Sequence, residues 1–167
     1  MAVIVAVMGE SGTGKSTSLR NFQKGEASVI NVSKKPLPFR NTLSVFKTDN
    51  YQEVQAMIKR AQAKSVVIDD AQYLMAFEYM HRAKEKGYEK FTDIGANFFN
   101  LTQTATALPD DKIIYFLFHI LFLYSCYINN IQEIFSKGNM HFKVKYKEML
   151  EKTVKYVKMY KSIMKVF

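Results

Sequence analysis

A run of sixteen residues near the start of the chain, AVIVAVMGESGTGKST at positions 2–17, decides the fold class of the domain. Residues 2–7 are all apolar, which is typical of a buried β-strand. Residues 9–16 match the pattern G-x-x-x-x-G-K-[ST] at every fixed position. An apolar strand that leads directly into this glycine-rich pattern predicts a phosphate-binding loop, known as the P-loop or Walker A motif.

Each fixed residue of this loop has a chemical task. Glycines let the backbone curl, so that its N–H groups point at phosphate oxygens. We expect Lys15 to reach the β- and γ-phosphates of a nucleotide and the Ser16 hydroxyl to ligate Mg²⁺. A helix predicted over residues 14–23 would add the positive end of its dipole.

Two acidic residues end a second apolar strand, SVVIDD at positions 65–70. In a P-loop protein an acid at this place holds Mg²⁺, and Asp69 is the candidate. Asp70 comes next, where a carboxylate can orient or deprotonate the attacking water. The alternative is that both are solvated carboxylates at the end of a strand.

A third apolar strand, KIIYFLF at positions 112–118, is followed by His119. Ligands of open α/β sheets bind at the carboxyl ends of the strands. His119 is therefore a candidate to sense the nucleotide or to donate a hydrogen bond to its phosphate. The alternative is a histidine at the edge of the core that is bound to a neighbouring carbonyl.

Further elements alternate along the chain and predict the fold class. Strands are expected over 28–32 and near 43–46, and helices over 50–62, over 72–86 and from a cap at Thr92 to about 107. Apolar strands that alternate with helices indicate an α/β fold with a parallel sheet covered on both faces, a three-layer αβα arrangement.

Composition narrows the class of protein. The 167 residues are 48% apolar and 23% charged, which is typical of a globular domain. The single cysteine, Cys126, excludes an internal disulfide framework and fits a reducing cytosol. The longest apolar run, residues 113–128, is shorter than the roughly 20 residues needed to span a bilayer, so no membrane span is expected.

The net charge of +9 favours an anionic partner such as nucleic acid. Residues 1–119 carry 15 basic and 12 acidic side chains, whereas residues 120–167 carry 9 and 3. Lys34, Lys35 and Arg40 lie in the predicted loop 33–41. They could contact a nucleic acid or a nucleotide in a neighbouring subunit, or form a solvated loop.

Four segments together suggest a family: GESGTGKST (9–17), VIDDAQYLMAFEYMHRAKEKG (67–87), KFTDIGANFFNL (90–101) and IIYFLFH (113–119). They resemble the small P-loop ATPases of bacteriophages, described as AAA-family or RecA-like, some of which are linked to single-strand annealing and recombination. The resemblance covers about residues 1–119. It implies a P-loop NTPase core there, in which strand 112–118 lies between the P-loop strand and the acidic strand.

The resemblance also implies a site and partners. Nucleotide contacts are expected from nine consecutive residues: Gly9, Glu10, Ser11, Gly12, Thr13, Gly14, Lys15, Ser16 and Thr17. Mg²⁺ would be supported by Asp69 together with Ser16, and His119 would have a sensor-like role.

The leading hypothesis is Mg²⁺-dependent ATP hydrolysis in phage DNA recombination or replication, in the cytoplasm of the host. Asp70 would position the water, and Lys15 and His119 would stabilise the developing charge. The partner would be single-stranded DNA, and the protein would act as a homo-oligomer. A neighbour's Arg40 or Arg82 is a candidate to complete the site.

The chain departs from this family at residue 120. Residues 120–167 contain no Ala, Arg, Asp or Pro and are rich in Lys, Tyr and Ile, so they form a second, divergent segment. A basic amphipathic helix is predicted there from about 141 to 166. One hypothesis is that this segment is an out-of-frame reading of an AT-rich gene or belongs to a decayed copy.

Two other functions fit the same motifs. A nucleoside or nucleotide kinase also has a P-loop, but it usually carries an arginine-rich lid, and this chain has only four arginines. In a kinase the acidic strand usually lies beside the P-loop strand, so strand order discriminates. The third hypothesis is a nucleotide-binding or DNA-binding module that has lost hydrolysis.

Overall fold

The computed structural model describes residues 1–119. The strands in this range are β1 (Val3–Gly9), β2 (Ala27–Asn31), β3 (Ser44–Lys47), β4 (Ser65–Asp69) and β5 (Ile113–His119). The α-helices are α1 (Tyr51–Arg60), α2 (Gln72–His81) and α3 (Glu89–Thr106), and a 3-10 helix spans Ser16–Asn21. The divergent segment 120–167 and its predicted helix at 141–166 lie outside the described residues.

The five strands form one parallel sheet in the order β1-β5-β4-β2-β3. This confirms the α/β class and the mainly parallel sheet. It also puts β5 between β1, which leads into the glycine-rich loop, and β4, which ends in the two acids. That is the order predicted for the ATPase hypothesis.

The two faces of the sheet are covered differently, and the path of the chain explains why. The chain first moves from β1 out to β2 and β3, then returns to β4 and β5. Because crossovers between parallel strands are right-handed, a connection lies on one face of the sheet when the chain moves outward and on the other face when it returns. Accordingly α1, α2 and α3 pack on one face, while the 3-10 helix and residues Leu37, Phe39 and Leu43 cover the other. The arrangement is compatible with three layers.

The larger core lies between the sheet and the three helices. Side chains alternate along β5, so that Ile114, Phe116 and Phe118 face the helices and Leu117 faces the opposite side. Phe98 of α3 packs its ring against those of Phe116 and Phe118, with centroids 6.1 and 6.2 Å apart. All three phenylalanines are fully buried.

Three predicted helix boundaries were wrong. The helix expected over 14–23 is the six-residue 3-10 helix Ser16–Asn21. Gly14 has a φ of +85°, which is not helical, and the Ser18 hydroxyl donates to the Lys15 carbonyl at 2.7 Å, competing with helical bonding. This short helix therefore contributes a smaller dipole at the glycine-rich loop than the helix expected over 14–23 would. Helix α2 ends at His81 rather than 86, and α3 begins at Glu89, so Thr92 lies inside α3 rather than at its cap.

Within residues 1–119, no helix combines the length and the apolar character that crossing a membrane requires. The first seven residues of the apolar run 113–128 form β5, an interior strand of the sheet. The remainder of that run lies outside the described residues.

The aromatic core gives a test of the fold. We expect Phe98→Ala to lower the free energy of unfolding by about 3–5 kcal/mol, because it opens a cavity beside two buried rings. Phe99→Ala is the matched control, since the Phe99 side chain is 36% exposed and its removal should cost less than about 1 kcal/mol. Urea unfolding followed by circular dichroism measures both. Equal losses for the two variants would contradict this packing.

Candidate functional site

The polar residues singled out in the sequence meet at one edge of the sheet. In the register of β1 and β5, Gly9 lies opposite His119, and in that of β2 and β4, Asn31 lies opposite Asp69. Because all strands are parallel, these residues end their strands at the same edge. The glycine-rich loop leaves β1 at this edge.

The loop is a tight curl closed by its own side chains. The Thr13 hydroxyl donates to the Glu10 carbonyl at 2.8 Å, and a Cβ added at Gly9 would lie only 2.6 Å from the Thr13 Oγ1 atom. Gly12 has a left-handed φ of +81°, as Gly14 does. Within residues 1–119 the backbone N–H groups of Gly12 and Gly14 donate to no protein acceptor. Such a curl offers its donors to an anion.

The Lys15 ammonium folds back across the mouth of the loop. Its Nζ atom donates to the carbonyls of Gly9 at 2.9 Å and Glu10 at 2.7 Å, and lies 3.5 Å from the Thr13 Oγ1 atom. Burial lowers the pKa of Lys15, and the charges of Asp70 and Asp69 act in the opposite direction. The cation is thus partly withdrawn from water while it stays close to two carboxylates.

The Ser16 hydroxyl donates to the Asp69 Oδ1 atom at 2.9 Å, across 53 residues of sequence. Asp69 is only 3% exposed. Burial raises the pKa of this carboxyl, with a smaller contribution from Asp70, while the hydrogen bond from Ser16 and the charge of Lys15 pull the pKa down. A buried carboxylate with a raised pKa is a group that a bound cation would stabilise.

The pair of Ser16 and Asp69 fits Mg²⁺ in the way that nucleotide-bound Mg²⁺ is held. Within residues 1–119 there is no cluster of three or more His, Cys, Asp or Glu side chains that could cage a metal. Mg²⁺ usually keeps several waters and takes one or two protein oxygens together with substrate phosphates. A hydroxyl and one carboxylate are sufficient for that mode.

Asp70 and His119 form a second pair beside the first. Asp70 follows β4 with a left-handed φ of +60°, and its Oδ1 atom lies 3.0 Å from the His119 Nε2 atom. Both side chains are largely buried, with 14% and 25% of their surfaces exposed. The histidine is therefore bound to the neighbouring carboxylate, whereas the alternative interpretation expected a carbonyl.

Two buried polar residues at this edge were missed in the sequence. Gln72, the first residue of α2, accepts a hydrogen bond from the His119 backbone N–H at 3.2 Å and is fully buried. The Asn31 amide donates to the Lys35 carbonyl at 2.6 Å and so anchors the basic loop. Asn31 could have been predicted as a site residue, since it is a polar residue at the end of an apolar strand. Gln72 could not, because nothing distinguishes it from the other polar residues of a predicted helix.

The basic residues differ in the number of ion pairs that they form. Lys34 forms an ion pair with Asp49 at 2.9 Å, whereas Lys35 and Arg40 are exposed. Arg82 contacts three carboxylates of α2, α3 and the turn between them, at 2.8 to 3.5 Å: those of Glu78, Glu85 and Asp93. An arginine held in this way is a poor candidate to reach into a neighbour's site.

Compared with known proteins, the chain matches no family model and no curated protein.

The buried charge of Asp69 predicts an effect on stability. Because the folded protein raises this pKa, the stability linked to Asp69 is complete below the ordinary carboxyl pKa and is lost as the pH rises through the raised value. Asp69→Asn keeps an acceptor for Ser16 and removes the charge. We expect its melting temperature at pH 7 without nucleotide to exceed that of wild type. The rise should be about 2–4 °C for each kcal/mol that removal of the buried charge adds to the free energy of unfolding.

Asp49→Asn is the matched control for this experiment. The hydrogen bond from Lys34 lowers the pKa of Asp49, so this carboxylate adds stability above its ordinary pKa, and that stability is lost as the pH falls. The Asn variant should melt at the same temperature as wild type or slightly below it. A melting temperature for Asp69→Asn that is no higher than wild type would contradict the assignment of a destabilising buried charge.

Proposed function

We propose that this chain is a P-loop nucleotide-binding protein that holds ATP with Mg²⁺ and hydrolyses it. The observation that carries the proposal is the 2.9 Å hydrogen bond between the Ser16 hydroxyl and the Asp69 carboxylate. It joins the last fixed residue of the glycine-rich pattern to the acid at the end of β4. These are the two oxygens that nucleotide-bound Mg²⁺ takes from a protein of this class.

The residues of the loop would bind and neutralise the phosphates. The curled backbone would supply N–H donors, among them those of Gly12 and Gly14, and Lys15 would exchange the carbonyls of Gly9 and Glu10 for phosphate oxygens. Ser16 and Asp69 would hold Mg²⁺, which when bound neutralises charge on the β- and γ-phosphates.

Asp70 is the group that would act on the attacking water. Its carboxylate would orient the water and accept its proton. The His119 Nε2 atom, 3.0 Å from Asp70, would hold that carboxylate in place. This differs from the role inferred from the sequence, in which His119 acts on the phosphate itself.

Strand order supports hydrolysis over phosphoryl transfer to a second substrate. β5 separates β1 from β4, as in the ATPase hypothesis, whereas a kinase usually has these two strands adjacent. Arg82, one of only four arginines, is held by three carboxylates and is poorly placed to serve a lid.

A nucleotide-binding module without hydrolysis is the second candidate. The specific observation in its favour is that Asp70, the candidate base, is already engaged by His119. Aspartate is also shorter than the glutamate common in this role.

The proposal extends to partners. The net charge of +9 favours single-stranded DNA, and a homo-oligomer would let a neighbour's Arg40 complete the site. A single cysteine fits a reducing compartment such as a host-cell cytoplasm.

ATP turnover tests the proposed activity. We expect phosphate release by the purified chain with Mg²⁺ to fall about 10²–10³-fold in Lys15→Ala, because the ammonium is lost from the developing charge. Lys24→Ala is the matched control, since Lys24 is an exposed lysine outside the loop and should leave the rate unchanged. The assay is run with and without single-stranded DNA.

The alternatives give distinct results in the same assay. ATP binding without turnover, in wild type and in Asp70→Asn alike, would favour the module that has lost hydrolysis. Phosphate transfer that requires an added nucleoside would indicate a kinase. Failure of the wild type to bind ATP would overturn the P-loop assignment itself.

A further inference from the structure

Gln72, the first residue of α2, is a fully buried polar side chain beside the pair of Asp70 and His119. We propose that Gln72 is a positioning residue for ATP hydrolysis: its amide oxygen fixes the backbone of His119, so that the imidazole holds Asp70 where that carboxylate acts on water. This inference rests on the proposed function, because the water is assigned to Asp70 there. The two contacts involved are nevertheless measurable without ATP.

The turn that ends β4 leaves a backbone donor of β5 without its usual acceptor. Asp70 takes a left-handed φ of +60°, and the chain leaves the sheet there to form α2. At this junction the Ala71 N–H donates to the Leu117 carbonyl of β5 at 3.0 Å. Two residues further along β5, the His119 N–H lies beyond the end of β4 and needs an acceptor from elsewhere.

The side chain of Gln72 supplies that acceptor. Its Oε1 atom accepts the hydrogen bond from the His119 N–H at 3.2 Å. The atom that faces this N–H must be the amide oxygen, because a backbone N–H only donates. The bond therefore ties the backbone of His119 to the helix that starts two residues after Asp70.

His119 is consequently attached to the turn at Asp70 by two contacts. The backbone N–H contacts Gln72 at 3.2 Å, and the Nε2 atom lies 3.0 Å from the Asp70 Oδ1 atom. An ionised carboxylate only accepts, so the Nε2–H donates to it. With the backbone fixed, the direction of the imidazole depends on its side-chain torsions alone. A shift of the His119 backbone would move the imidazole away from the carboxylate.

The nitrogen of the same amide argues against a role in packing alone. Within residues 1–119 the buried Nε2 atom of Gln72 donates to no acceptor. An unpaired buried donor opposes stability, so a methionine of the same length would fill the space at a smaller cost. A glutamate would add a further buried carboxylate close to Asp69 and Asp70. Glutamine is thus the neutral side chain that brings an oxygen to His119.

A double-mutant cycle in ATP turnover separates positioning from stability. We expect Gln72→Met to lower kcat about 10- to 100-fold, because a displaced catalytic group loses its alignment. The KM for ATP should stay within about twofold of wild type, since Gln72 is buried behind the pair and binds no phosphate. If Gln72 acts through His119, the double variant Gln72→Met/His119→Ala has the same kcat as His119→Ala alone.

Thr106→Val is the matched control, because it also removes a buried polar group from the helices that cover the sheet. The Thr106 hydroxyl donates to the Thr102 carbonyl at 2.7 Å. The Thr106 carbonyl accepts from the Ala2 N–H, which places this residue at the opposite edge of the sheet from the site. Its kcat should equal that of wild type. A loss as large as that of Gln72→Met would mean that any buried defect in these helices has the same effect.

NMR of the isotope-labelled full chain without nucleotide tests the two contacts themselves. The imidazole Nε2–H of His119 should give a signal in wild type that disappears in Asp70→Ala. We expect Gln72→Met to remove this signal as well, and to make the His119 amide exchange with solvent at least about tenfold faster. The amide of Ala71, whose bond to Leu117 is untouched, should keep its wild-type exchange rate.

Either of two results would overturn the proposal. One is an unchanged imidazole signal of His119 in Gln72→Met. The other is that the losses of kcat caused by Gln72→Met and His119→Ala multiply in the double variant, since Gln72 would then act independently of His119. Absence of turnover in wild type, with the NMR signals changed as expected, would instead contradict the proposed hydrolysis and leave Gln72 as the residue that holds the pair.

Discussion

One hydrogen bond, from the Ser16 hydroxyl to the Asp69 carboxylate at 2.9 Å, holds the candidate site together. It connects the loop after β1 to the end of β4, although β5 lies between these strands, so the loop must reach across the end of β5. The bond also satisfies a carboxylate that burial would otherwise leave unpaired. This connection fixes the loop against the acid that ends β4, whereas the curl itself is closed within the loop by Thr13 and Lys15.

The site combines features that oppose stability with features that suit phosphate chemistry. Burial raises the pKa of Asp69 and lowers that of Lys15, so it disfavours the charged form of each. Asp70 adopts a left-handed backbone conformation that is uncommon outside glycine. Strain and buried charge of this kind concentrate at functional sites, where a ligand of opposite charge offsets them.

Local patterns were sufficient to predict most of the sheet. Five apolar runs became five strands, and the order with β5 beside β1 agreed with the order that the family resemblance implied. Ser16 meets Asp69, the two residues that the motifs paired, whereas the contact of His119 with Asp70 was not predicted, because the sequence favoured a phosphate or a carbonyl as the partner of His119. The short 3-10 helix was not predicted, because backbone competition by Ser18 is decided by local hydrogen bonds rather than by apolar spacing. Gln72 and the ion pairs of Arg82 were missed because their partners depend on how α2 and α3 pack.

The affinity of the chain for ADP, measured by isothermal titration calorimetry with and without Mg²⁺, tests most directly whether Ser16 and Asp69 hold a metal beside a nucleotide. If Ser16 and Asp69 hold the metal, binding should weaken at least about tenfold when Mg²⁺ is chelated. Ser16→Ala should show weaker binding with Mg²⁺ and almost no further loss on chelation. Equal affinity in wild type and Ser16→Ala, with or without Mg²⁺, would contradict the assignment. So would the absence of any ADP binding.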